Sequence, residues 1–375
     1  MIILAIVTFL ISRNPTLSLT LLVIACPGAM VISIPVAIVA GIGTLAKHGI
    51  LAKGGESIEK LAKIDYIAFD KTGTLTHGRP QVSRIICVTG SEESVLRSAL
   101  IAEQDANHAL GKAILLKAQE RMITTVEKAL RVDTIPGRGI KVSGSFGRII
   151  VGNLGLAKDS PLDYPTSEII RYEKLADENP TTVFVSQNGI LLGFIIIEDM
   201  LREDSANALR SLRRLRIKAI HVITGDSSAS ASRTLDILKS DKIHADGLRQ
   251  GKADIVKQLR RNGKVAMVGD GINDILALNE SDVGIALSSH ASEVAMRTAD
   301  LVILNDEVNS VAIALRISRF TSGIRKQNIS ISIGTVVFLI FGVLIGQVHM
   351  ASGMLVHEAS VMAVILNALR ILRKK

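Results

Sequence analysis

Asp70-Lys71-Thr72-Gly73-Thr74-Leu75-Thr76 follows directly on the apolar run Tyr66-Ile67-Ala68-Phe69. A carboxylate at the exit of a buried strand, followed by a turn rich in Thr and Gly, is built to meet a phosphate. Such a carboxylate can attack phosphorus and carry the phosphoryl group as an aspartyl phosphate. Backbone N–H groups and hydroxyls of the turn can hold its oxygens. A second stretch, Val268-Gly269-Asp270-Gly271-Ile272-Asn273-Asp274, again sets a carboxylate at a strand end between glycines. Asp270 there suits Mg²⁺, a hard cation that takes a few carboxylates together with phosphate oxygens and water. Carboxylate and triphosphate repel each other, and a metal bridging Asp70, Asp270 and the transferred group relieves that repulsion.

Smaller signals accompany these two. Thr224-Gly225-Asp226 closes the run Ile220–Ile223 and offers a hydroxyl and a backbone N–H; alone it reads as a helix N-cap. Lys252 can reach phosphoryl oxygens as a point charge, or be a surface lysine. Glu103 and His108 lie close in sequence, and Gly137, Gly139 and the pair Gly152-Asn153 punctuate the strands that follow. Glycines let an adenine ring approach the backbone, and a neutral imidazole can stack on or hydrogen-bond to the base; His108 also reads as a satisfied surface histidine. Cys26-Pro27 interrupts an apolar helix, where a proline removes a backbone hydrogen bond and exposes carbonyls beside a soft sulfur ligand. His357-Glu358 puts ionisable groups in the last apolar region, which are functional by default inside a span, or else sit in an interfacial loop.

The elements that must position these residues follow from the pattern. Ile58 to Ile303 alternates short β-branched runs with amphipathic stretches, the mark of an α/β domain with a parallel sheet. Runs ending at Asp70, Thr224 and Asp270 place three phosphate- or metal-competent loops at strand ends, where open α/β sheets bind ligands. Between Gln81 and about Glu198 the texture changes to a helix-like stretch, Ser91 to Arg131, and then Gly-punctuated short strands. This reads as an inserted α+β domain. The expected limits are 49–80 and 198–310 for the sheet domain and 81–197 for the insertion, with membrane helices at 1–48 and 326–372.

Hydrophobic residues make up 48% of the chain and the mean hydropathy is +0.37, high for a wholly soluble protein. Leu17–Gly43 holds no charge and exceeds the ~20 residues a membrane helix needs. Ile329–Val356 is also free of Asp, Glu, Lys and Arg, and with Ala359–Leu369 reads as two helices with a turn near Gln347–Gly353. Met1–Ile11 reads as the tail of a span, with Arg13-Asn14-Pro15 as a tight hairpin. The net charge of +9 comes with Lys47, Lys53, Lys60 and Lys63 after the first long span and Arg316, Arg319, Arg325 and Lys326 before the second. Basic residues flanking spans place that side, and the middle of the chain, in the cytoplasm. Three Tyr and no Trp weaken a nucleic-acid reading, and two cysteines make no disulfide framework.

Taken together, Asp70–Thr76 resembles the phosphorylation loop of P-type ion-pumping ATPases, and Cys26-Pro27 and His357-Glu358-Ala359-Ser360 resemble elements of the heavy-metal branch, zinc/cadmium/cobalt-like. The resemblance implies a multi-pass cell-membrane protein with cytoplasmic catalytic domains: a haloacid-dehalogenase-like Rossmannoid phosphorylation domain with an inserted α+β nucleotide-binding domain, flanked by transmembrane helices. It implies ATP and Mg²⁺ as cofactors and Asp70 as nucleophile. Lys71, Thr72, Thr224, Gly225, Asp226, Lys252, Asn273 and Asp274 assist, and Asp70, Thr72 and Asp270 form the Mg²⁺ set. Glu103, His108, Gly137, Gly139, Gly152 and Asn153 would hold nucleotide, and Cys26, His357 and Glu358 the transported ion. The chain departs from the family where Gly28 replaces a second sulfur and where Ala106-Asn107-His108-Ala109 replaces Ser-Glu-His-Pro. One sulfur with imidazole and carboxylate suits Zn²⁺, Co²⁺ or Cd²⁺ better than Cu⁺. The family's actuator loop, Thr-Gly-Glu, does not occur ahead of Asp70, so a truncated or split pump with a separate actuator polypeptide is expected. The alternatives are a copper pump, a pump-derived regulator that only binds ATP or autophosphorylates, and a soluble phosphatase. The last usually has a second Asp where this chain has Thr72, which favours a long-lived phosphoenzyme.

Overall fold

The apolar runs ending at Asp70, Thr224 and Asp270 become neighbouring strands at the heart of one sheet. A computed structural model describes residues 2–24, 28–106, 108–160, 166–178, 181–225, 237–245, 249–270, 272–287 and 293–374. Its strands are β1 Ile50–Ala52, β2 Tyr66–Asp70, β3 Thr76–Cys87, β4 Arg131–Ile135, β5 Gly139–Gly144, β6 Gly147–Gly152, β7 Thr182–Gln187, β8 Ile190–Leu201, β9 Ala219–Ile223, β10 Lys242–His244, β11 Val265–Gly269, β12 Val283–Leu287 and β13 Leu301–Ile303. A seven-stranded sheet runs β1-β13-β12-β11-β2-β9-β10. β9 pairs β10 in parallel, as β11 pairs β12 and β12 pairs β13, while β1 joins the edge antiparallel. Every residue of β11 and β12 is buried, as the strands of a sheet covered on both faces must be.

By compactness the chain divides into two units, Met1–Ile67 with Arg210–Lys218 and Ala253–Lys375, and Ala68–Leu209 with Ala219–Lys252. The first holds the apolar helices Ile2–Ser12, Pro15–Ile24, Gly28–Lys47, Asn309–Leu344 and Met350–Leu369. Three stretches, Pro15–Lys47, Asn309–Leu344 and Met350–Arg373, are long and apolar enough to cross a membrane. Small residues let them pack closely: Ala37 and Ala40 meet Ile324, Ala368 and Ile371, and Leu21 and Ile24 meet Leu339 and Val343. Outward-facing Phe338, Phe341 and Leu355 stay exposed, as a lipid-facing surface requires. The Arg13 turn separates the first two helices with a left-handed φ of 51°.

The helix Asn309–Leu344 crosses the expected boundaries at 310 and 326. Residues 311–325, which those limits leave between the sheet domain and the span, belong to this helix. Arg325 pairs with Glu59, and Arg319 donates to the carbonyls of Ile64 and Leu215. At 36 residues it extends about 54 Å, well beyond a ~30 Å hydrocarbon core.

The second unit is built on the antiparallel sheet β3-β8-β7-β6-β5-β4. Alternation along the strands gives it two faces. Ile149, Val151, Val185 and Ile195 face the helices Glu92–Ala102 and Ala109–Glu120; Ile150, Phe184 and Phe194 pack on the other side with Tyr172. The sheet begins at Thr76 and ends at Leu201, so its first and last strands run a few residues past the expected limits of 81 and 197. The stretch Ser91–Arg131 is two helices and an irregular segment.

Candidate active site

β2 delivers Asp70 to a buried position, and a tight loop follows in which Gly73 takes φ +75°, open to glycine at no steric cost. Lys252 reaches Asp70 from the helix Arg249–Arg260, with Nζ donating to Oδ1 at 2.6 Å and side chains 10% and 6% exposed. Lys71 is half-buried and Thr72 exposed, on the outer edge of the loop.

Three residues that sequence reading missed hold this loop still. Asp199, near the end of β8, accepts the Thr76 hydroxyl at 2.6 Å and the Arg79 N–H at 3.2 Å. Thr76 Oγ1 in turn accepts the Gly73 N–H at 3.0 Å. Arg202 donates from Nη2 to Gly73 O and from Nε to Thr76 O, both at 3.0 Å. Ser205 Oγ donates to Leu75 O at 2.8 Å. The carbonyls of Gly73, Leu75 and Thr76 and the N–H of Gly73 thus have partners within the fold. The signal in the sequence was faint: an acidic residue, an arginine and a serine just past a strand.

Thr224 is buried at the end of β9, its N–H donating to His244 O at 2.9 Å. Gly225 follows exposed, and Asp226 lies outside the described residues. On β11 and the turn after it, Asp270 is half-buried, Asp274 buried and Asn273 exposed. Asp270 and Asp274 offer oxygens within 4.8 Å of each other. A Cβ on Gly269 would lie 2.7 Å from Asp274 Oδ2, so this carboxylate occupies space that only glycine leaves open. Two carboxylates at that spacing fit a hard divalent cation such as Mg²⁺.

The candidate nucleotide residues form two clusters. Glu103 and His108 line a cavity of about 160 Å³ with Ile101, Ala129, Val132 and Ile140. His108 Nδ1 accepts the Gly111 N–H at 3.1 Å, so Nε2 carries the proton and points at Glu103 Oε2, 3.1 Å away. Burial holds the Glu103 carboxyl above the ordinary range, with His108 working against it. In the other cluster Gly139 faces Gly152 across β5 and β6. Asn153 Oδ1 caps the helix Leu154–Lys158 at Leu156 N, while Nδ2 donates to Gly137 O at 3.0 Å.

In the apolar helices, Cys26 lies outside the described residues, but Gly28 does not. A Cβ built there would come 3.0 Å from His357 Nε2. His357 is half-buried within the helix Met350–Leu369, not in a loop, and its Nδ1 is buried with no hydrogen-bond partner among the described residues. Glu358 is exposed. Asn367 donates to Asn328 Oδ1 at 2.8 Å, and Asn328 to Val364 O at 3.1 Å, a buried amide link between the last two helices.

Residues 64–282 match the family model of haloacid dehalogenase-like hydrolases. A zinc/cadmium/lead-transporting P-type ATPase of Escherichia coli strain K12 is 35% identical over 95% of this chain and 48% of its own length. A probable copper-exporting P-type ATPase of Archaeoglobus fulgidus is 38% identical over 84% of the chain and 38% of its own length. The chain therefore spans half or less of these curated relatives. The crystal structure of a zinc-transporting PIB-type ATPase in its E2.Pi state superposes with a TM-score of 0.90, at 32% identity, over 99% of this chain and 62% of the other.

Proposed function

Since the chain belongs to the haloacid dehalogenase-like hydrolase family, we propose that Asp70 takes the γ-phosphoryl group of ATP as an aspartyl phosphate, and that this event drives a borderline divalent cation, Zn²⁺, Cd²⁺ or Co²⁺, across a membrane. The observation that carries the reading is the buried Asp70–Lys252 pair at the mouth of a loop whose carbonyls are held by Arg202 and Ser205 and whose Thr76 hydroxyl is held by Asp199. Asp70 Oδ attacks phosphorus, the bond to the β–γ bridging oxygen breaks, and ADP leaves. Lys252 offsets charge on the phosphoryl oxygens, and Thr224 and the N–H groups of Thr72 and Thr74 orient them. Mg²⁺, when bound by Asp70, Thr72 and Asp270, neutralises charge on the phosphate chain. Glu103, His108 and the glycines of β5 and β6 seat the nucleotide, with Asn153.

Thr72 stands where a phosphatase of this family usually has its acid/base, so the adduct persists long enough to be coupled to movement. For the cargo, His357 beside Gly28 supplies an imidazole with a free ring nitrogen, and Cys26 a single sulfur. Cu⁺ prefers two thiolates, and Gly28 offers none, which favours the divalent reading over copper. The test is acid-stable labelling by [γ-³²P]ATP in the presence of Zn²⁺, Cd²⁺, Co²⁺ or Cu⁺. Label is expected in the native chain and absent in Asp70→Asn, with divalent ions altering its level in a manner lost in Cys26→Ala. No label at all would leave a regulator; label indifferent to every ion would remove the cation assignment.

A further inference from the structure

His221 and His244 stand together on β9 and β10, and neither side chain was assigned above to ATP, Mg²⁺ or the membrane site. The two strands are parallel, with His221 opposite Lys242 and His244 two residues further along the same face. Their rings stack at 5.3 Å between centroids with 26° between planes, and His221 Nδ1 lies 3.1 Å from His244 Nε2. Two imidazole nitrogens on one Zn²⁺, each at about 2.05 Å in tetrahedral geometry, sit about 3.3 Å apart. The pair already stands near that chelating distance, on two strands whose backbone pairing fixes it.

We propose that His221 and His244 form a second metal site, a two-imidazole chelate for a borderline divalent cation such as Zn²⁺, on the sheet and outside the apolar helices. Imidazole suits Zn²⁺, Cu²⁺ and Ni²⁺, where carboxylates and water suit Mg²⁺. Half-exposed His244, on the edge strand β10, leaves room for water to complete the coordination. Burial lowers the pKa of both rings, that of His244 to about 4 with His221 beside it, so both are neutral at cytosolic pH; one of the two facing nitrogens carries the proton of their mutual hydrogen bond, and an ion binds by taking that proton's place. Asp241 favours a cation nearby and Lys242 opposes it. The site acts on Thr224: its N–H is held by His244 O at 2.9 Å, so an ion clamping β10 to β9 stiffens the strand end from which the Thr224 loop leaves. That consequence, unlike the chelate itself, rests on the phosphoryl-transfer reading.

The experiment uses the full chain in detergent, stripped of metal, with Zn²⁺ as the probe and Mg²⁺ as the control. Carbethoxylation of His244 is followed by peptide mass spectrometry, and bound Zn²⁺ by equilibrium dialysis. Zn²⁺, but not Mg²⁺, is expected to suppress modification of His244. In His221→Asn the suppression should vanish and bound Zn²⁺ fall by one per chain, with the same fall in His244→Gln. An unchanged His244 footprint in the native chain would mean that the rings only hydrogen-bond to each other, and would overturn the proposal. So would suppression that survives His221→Asn. Circular dichroism checks each variant's fold; if His221→Asn does not fold, the native footprint and the His244→Gln stoichiometry decide. Because both readouts are metal binding, they hold or fail independently of ATP labelling.

Discussion

Replacing Lys252 by Ala takes away the cation 2.6 Å from Asp70 Oδ1, in surroundings where the two side chains are 10% and 6% exposed. At an effective dielectric constant of ~20 the attraction across that distance is about 6 kcal/mol. Desolvation offsets much of it, and removing one partner of a buried pair costs about 3–5 kcal/mol. Only part of this cost reaches the rate. The loss of Lys252 destabilises the ground-state carboxylate and so makes it a better nucleophile. It also removes a preorganised charge from the phosphoryl oxygens, worth about 2.7–4 kcal/mol for a group of that kind. The two effects oppose each other, so the low end is the fair expectation: about 2.7 kcal/mol, or about 100-fold slower phosphoenzyme formation. Lys252→Arg, which keeps the charge, should lose about tenfold or less, its fork fitting a site shaped for a point charge poorly. The assay is rapid-quench labelling with [γ-³²P]ATP at saturating nucleotide, reading rate and final level separately. Limited proteolysis establishes that the variant is folded. Phosphoenzyme formation in Lys252→Ala at the native rate would refute the argument, because the geometry would then be a resting-state contact with no part in the transfer.

Gly139→Ala would set a Cβ 2.2 Å from Val151 O and 2.5 Å from Gly152 Cα at φ +146°, so a destabilisation of about 2–5 kcal/mol and loss of ATP binding are expected, read by thermal unfolding and by a fluorescent nucleotide. The raised pKa of Glu103 means that its native state binds a proton more tightly than its unfolded state; the resulting stability is full below the unfolded pKa and fades as pH rises through the folded one. Glu103→Gln should flatten that part of the stability profile, and an unaltered profile would show that burial does not govern this carboxyl. Gly28→Cys would put sulfur beside His357 Nε2 and is expected to tighten Cd²⁺ binding about tenfold over Zn²⁺, measured by competition with a chromophoric chelator. Equal changes for the two ions would argue that residue 28 does not face the ion.

How far the sequence carried the reading differs between strand and loop. The fold class was legible because apolar runs ending in Asp70, Thr224 and Asp270 carry the period and β-branching of buried strands, and a buried parallel sheet leaves few other arrangements. The helix Asn309–Leu344 was not legible at its start. Arg316, Arg319 and Arg325 look like the charged margin of a span, whereas two of them are satisfied by Glu59 and by carbonyls of Ile64 and Leu215. Those partners are far away in sequence, and no local pattern announces them. Among the site residues, the reading named those whose side chains can do chemistry, and passed over those that hold backbone.

That omission has a physical origin. A phosphate-binding turn works through its N–H groups, and these point at the ligand only if the carbonyls of the same turn are held elsewhere. Arg202 and Ser205 do this from the segment after β8, and Asp199 on β8 holds the Thr76 hydroxyl; all three return to the Asp70 loop after the whole inserted domain. The place where the chain leaves the sheet domain at Thr76 and the place where it comes back at Leu201 are paired residues of β3 and β8. Any displacement of the inserted domain that strains this pair is therefore passed to Gly73 and Thr76, and through them to the loop that presents Asp70. The insertion point and the Asp70 loop share one set of hydrogen bonds, because Asp199 and Arg202 hold Gly73 and Thr76 where β3 and β8 pair.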